Sequence, residues 1–201
     1  MKKYWKLFLI LLVFMVELNA CYKSNFFEDV DDPGLSRFTS RGYNVASAYI
    51  NNEAWVNYFN SASGPSPMLI FLDTATTAKD SLYIQWEGDI NNSLFSERNR
   101  TYLTISLPVK RGFSVDDFLS WNAKTFPSDS TTVTISLSDF SEPNSGLGIS
   151  GTGKIYFVKI QQRIDNKNSF DLSGLFEGKI GDSVIIRKGR FDYVSSIQNF
   201  H

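Results

Sequence analysis

The sequence predicts an all-β domain, an antiparallel β-sandwich with a flattened β-barrel as the alternative and one short helix. Three observations predict it. Apolar residues recur at every second position in successive runs, which leaves one face of each strand packed and the other wet. Turn-forming Gly, Pro, Asn and Asp residues separate the runs. Aromatic residues make up 15% of the chain, with 17 Phe, 9 Tyr and 4 Trp, a composition that suits a pleated core.

The elements follow in order. Residues 43–51 (YNVASAYIN) and 54–60 (AWVNYFN) flank an Asn-Asn-Glu turn and read as a hairpin. Residues 68–72 (MLIFL) form a short apolar strand after a Gly-Pro-Ser-Pro break. Residues 81–87 alternate through Leu82, Ile84 and Trp86, residues 101–109 through Leu103, Ile105 and Leu107, and residues 132–140 through Val133, Ile135 and Leu137. Ser114 with Asp117 three residues on resembles a capping box, so residues 114–121 (SVDDFLSW) are the one helical candidate. The last third holds three strands, 151–164, 170–180 and 184–193, joined by short turns into a meander. Nine or so strands and one turn of helix make a single domain over residues 40–201.

What precedes the domain reads differently. Lys2, Lys3 and Lys6 give a basic start, and residues 7–16 are an unbroken apolar run. That is about half of the roughly 20 residues a membrane-spanning helix needs. A basic start, a short apolar run and a small residue at the exit is the pattern of a secretory signal peptide, here residues 1–20. Ala20 is the small residue, and Cys21, the only cysteine in the chain, follows it. Residues 21–39, with Glu28, Asp29, Asp31 and Asp32 ahead of Pro33-Gly34, read as a flexible tether. Once residues 1–20 are removed, 17 basic residues face 20 acidic ones, a net charge of −3, which offers no basic footprint for nucleic acid.

Leu18-Asn19-Ala20-Cys21 resembles a bacterial lipobox, in which the cysteine sulfur is diacylated and the signal is cut before it; Asn19 departs from the usual small or hydroxyl residue. Two or more acyl chains anchor a protein stably where one does not. With Ala48-Tyr49-Ile50-Asn51 before Trp55, and the closing Gly174-Leu175-Phe176-Glu177-Gly178 and Gly189-Arg190-Phe191-Asp192, the chain resembles small, mostly uncharacterised Bacteroidota outer-membrane lipoproteins. The resemblance implies a β-sandwich held at the cell envelope, periplasmic or surface-exposed, with no known reaction. Asp-Thr or Asp-Ser followed by a small or aliphatic residue, at Thr74, Ser81, Ser130 and Ser183, is similar to the O-glycosylation sequon of that group. The same dipeptides are ordinary turn formers.

Chemistry is sparse. The sole histidine is the terminal His201, so no oriented base for a Ser-His or Cys-His site is expected. Zinc spacings are absent. Gly146 to Gly151 fits G-x-G-x-x-G but precedes a strand, so a loop is expected in place of a phosphate cradle. Asp29, Asp31 and Asp32 supply oxygen ligands of the kind calcium takes, yet no complete EF-hand loop surrounds them, and neither metal nor cofactor is expected. The pairs Glu87 with Asp89 and Asp116 with Asp117 are the only candidates for a two-carboxylate hydrolase of envelope or dietary polysaccharide. Tyr58 and Trp121 are candidates for stacking on a sugar if both are exposed together. The expectation is therefore a non-enzymatic binding or structural module: membrane through its lipid, a glycan or protein as partner, and no catalytic residue.

Overall fold

The computed structural model describes residues 26–57, 68–74, 80–90, 100–127, 133–139 and 149–198. Ten strands and one helix lie among them: β1 (Val45–Ile50), β2 (Glu53–Val56), β3 (Leu69–Asp73), β4 (Asp80–Ile90), β5 (Arg100–Val109), α1 (Val115–Leu119), β6 (Thr125–Phe126), β7 (Thr134–Asp139), β8 (Ile149–Gln162), β9 (Ser169–Ile180) and β10 (Val184–Gln198).

Of the two forms the sequence predicts, the sheet takes the closed one. The antiparallel ladder runs β1-β2-β4-β5-β7-β8-β9-β10 and returns to β1, an eight-stranded barrel. Closure depends on the last strand. Over its fifteen residues β10 pairs with β9 on one side and with β1 on the other, and near its end with β3 in parallel. β3 also pairs with the first half of β4 while β2 pairs with its end, so β3 and the β1–β2 hairpin share one seam. A sandwich would leave sheet edges, whereas this ring pairs them.

Local chemistry sets the elements. The β1–β2 loop is two residues, Asn51 and Asn52, both with positive φ, the pairing a type I′ turn requires and asparagine tolerates. Ser114 caps α1 with the expected box: its hydroxyl accepts from the Asp117 amide, and the Asp117 carboxylate accepts from the Ser114 amide. Alternation in β4 buries Leu82, Ile84 and Trp86, and in β5 it buries Leu103, Ile105 and Leu107.

Side chains fill the interior. Trp86 stacks on Phe176 with ring centroids 5.5 Å apart and lies 5.4 Å from Phe191. The rings fit because glycines face them. A Cβ on Gly174 would come within 2.5 Å of Phe191, one on Gly189 within 2.4 Å of Phe176, and one on Gly88 within 2.4 Å of Trp55. The recurring Gly-x-Phe of the closing strands is thus a packing device, a bare backbone under an aromatic ring.

One end of the barrel needs a plug. β7 stops pairing near Thr134, so β5 and β8 part company beyond it, and α1 and β6 occupy the gap. The Phe157 amide donates to the Lys124 carbonyl, and the Ile160 amide to Asn122 Oδ1. Phe118 is fully buried there, 5.9 Å from Phe170 and 6.1 Å from Phe157.

Candidate functional site

Two features of the outer surface stand apart from the core, and both centre on β10. The first is a strap formed by residues 26–44. Arg190 and Asp192 point outward from β10, yet both are buried, because the strap lies over them. Arg190 donates to Asp29 (2.6 Å), to Asp32 and to the Ser36 carbonyl. Lys188 adds a second ion pair to Asp32. Asp192 accepts from the Thr39 hydroxyl and from the amides of Arg41, Gly42 and Tyr43. Leu35 is fully buried beneath the strap, Ser36 bonds Ser47 of β1, and Tyr49 donates to the Pro33 carbonyl at 2.8 Å.

This corrects part of the expected tether. Residues 26–39 are fixed to the barrel, because two of the acids that make the segment look solvated, Asp29 and Asp32, meet cations held by β10. The Asp31 amide and then Arg190 hold the Asp29 carboxyl below its ordinary range; Lys188 and then Arg190 do the same for Asp32. Two of the three aspartates considered for calcium are therefore committed to Arg190 and Lys188.

The second feature is a groove of about 450 Å³ on the outside of β8, β9 and β10, lined by Lys154, Tyr156, Leu175, Glu177, Lys188 and Arg190. A bulge in β10 opens it: the register with β9 shifts between Ile186 and Gly189, and Lys188 sits at φ 52°. Its walls combine the half-buried Tyr156 ring and the exposed Leu175 with Lys154 and Glu177, which face each other at 3.7 Å. Sequence reasoning missed this groove, and no local pattern marks the bulge.

The residues singled out from the sequence do not gather into one site. Trp121 is half-buried in the plug, 4.6 Å from Phe126 and 4.8 Å from Phe113, so its faces are occupied by other rings. Tyr58, Ser130 and Cys21 lie outside the described residues. Thr74 and Ser183 are exposed, whereas Ser81 sits within the β4 ladder between Asp73 and Pro108, and its neighbour Asp80 is buried and accepts from the Gly112 amide. Asp117 is spent on the cap and on Lys110 at 2.6 Å, which hold its carboxyl down to about 2. That Asp80–Gly112 bond puts the approach to α1 at the start of β4. Glu87 stands seven residues further along, about 24 Å of strand. Two carboxylates that cleave a glycoside together stand about 5–10 Å apart. The two candidate pairs thus lie toward opposite ends of the barrel and cannot act together, while within the first pair Glu87 and Asp89 share the outer face of β4, about 7 Å apart along the strand.

No known protein family, curated protein or solved structure matches this chain.

Proposed function

We propose that the protein is a lipid-anchored component of the cell envelope, acylated at Cys21, whose barrel is a non-enzymatic binding module with the β8–β10 groove as its seat for a glycan. The observation that carries the reading is the make-up of that groove. Tyr156 and Leu175 offer an apolar wall beside the hydrogen-bonding groups of Lys154 and Glu177. Sugars present an apolar ring face edged with hydroxyls, and concave sites that hold small ligands combine an apolar lining with a few placed polar groups. Among the described residues the interior is occupied by large buried side chains, Trp55, Trp86, Phe157, Phe176 and Phe191.

A glycan array probed with residues 22–201, strap included, tests the reading. Binding of one glycan class by the wild type, lost in Tyr156→Ala and in Lys154→Ala, is the expected result. An empty array, or binding that survives both substitutions, sinks the groove as the seat. The anchor has its own check, palmitate incorporation into the wild type and not into Cys21→Ala; equal labelling of both refutes it.

A further inference from the structure

With the strap fixed to the barrel, little chain remains between the first described residue and Cys21. Phe26 is the first described residue, and five peptide steps separate it from Cys21. Fully extended, those steps span at most about 18 Å. An acylated Cys21 therefore cannot hold the domain at a distance; it brings the strap-bearing flank down to the headgroups.

That flank is suited to the contact. Val30 is 94% exposed and Phe27 56% exposed, two large apolar side chains standing on a strap that is itself pinned by Arg190 and Asp192. Its charges nearly balance: Glu28, Asp29, Asp31 and Asp32 of the strap and Asp192 beneath it face Arg37 and Arg41 of the strap and Lys188 and Arg190 beneath it, a net charge of −1. A nearly neutral flank meets a bilayer surface with little like-charge repulsion, and apolar side chains at its rim gain from the boundary between headgroups and acyl chains.

We infer that the strap is a lipid-contact surface, and that the protein lies on its membrane with the β1–β10 flank down and Phe27 and Val30 at the headgroup level. The inference rests on the lipid-anchor reading. It adds a fixed orientation, which an anchor alone does not provide. In the eight-strand ring β5 lies opposite β10, and β7 lies beside β5. Thr134 on β7 is exposed and marks the side turned away from the membrane.

The test uses the chain's own lack of thiols. With Cys21 acylated, a cysteine introduced by Val30→Cys or by Thr134→Cys is the only free thiol and takes a fluorophore. The full lipidated chain is placed in phosphatidylcholine vesicles containing nitroxide-labelled lipid, and acylation of Cys21 is verified by mass. Quenching at position 30 at least about threefold stronger than at position 134 is expected for a flank at the headgroup level. Equal quenching on a chain that carries its acyl mass overturns the contact surface and leaves the anchor standing. A missing acyl mass at Cys21 overturns both.

Discussion

The plug at one end of the barrel and the strap along its flank both cover surfaces that the ladder leaves open, but different forces hold them. The plug is held by rings: Phe118, Trp121 and Phe126 meet Phe157, Phe118 also meets Phe170, and Phe113 packs on Trp121, while the Asp117 carboxylate caps the helix that presents them and pairs with Lys110. The strap is held by charge and by amides, through Lys188, Arg190 and Asp192 of β10, with Leu35 as its one fully buried apolar contact. Apolar covering shares the fate of the core, because its burial is continuous with it. Ionic covering is local, and sensitive to salt and acid.

The largest test of that difference is Phe118→Ala. It should cost about 3–5 kcal/mol of global stability, read as a lower denaturant midpoint at unchanged slope. If only amides in residues 113–127 lost protection while the midpoint held, the plug would be peripheral and the comparison wrong. Arg190→Leu comes next. Amide exchange at Asp29, Leu35 and Arg37, whose hydrogen bonds lie within the strap, should speed up by about tenfold or more while the β4–β5 ladder is unchanged. Loss of protection in both places would make the strap part of the core.

Acid gives the smallest and most graded effect. The Asp31 amide and Arg190 lower the pKa of Asp29, and Lys188 and Arg190 that of Asp32, so their contribution is complete above the ordinary value of 3.8 and is lost as pH falls below it. Asp117 is held down to about 2, so its contribution persists further into acid. Exchange followed from pH 5 downward should show strap amides released before those of α1, and simultaneous release would erase the distinction.

Much of the barrel wall was legible because alternation is local. Leu82, Ile84 and Trp86 face inward for the reason that period two demands, and Ser114 with Asp117 announced the helix. Closure was not legible, since it depends on β10 finding β1 and β3 across more than a hundred residues, and no local pattern encodes that pairing. β6 is two residues long and its segment joins the wall by bonds such as that from Phe157 to Lys124, so it leaves no periodic trace. The strap was not legible for a related reason. Composition sees four acids and a Pro-Gly as solvated chain, while the partners that fix them stand about 160 positions away. One signal was present: Leu35, a lone aliphatic amid polar residues, and Arg190, a charge at an otherwise strand-like position, are an unmatched pair until they are placed face to face. The groove depends on the backbone twist at Lys188, which nothing in Arg187-Lys188-Gly189 specifies without the strand beside it.

The dependence of the strap on β10 also fixes an order of events. A ribosome makes residues 26–44 well before residues 190–192, so the earlier segment has no seat until β10 emerges. Loop closure over such a separation is slow compared with forming the hairpin of β1 and β2. Docking of the strap therefore cannot precede β10, and a protease arriving earlier would find residues 26–44 uncovered.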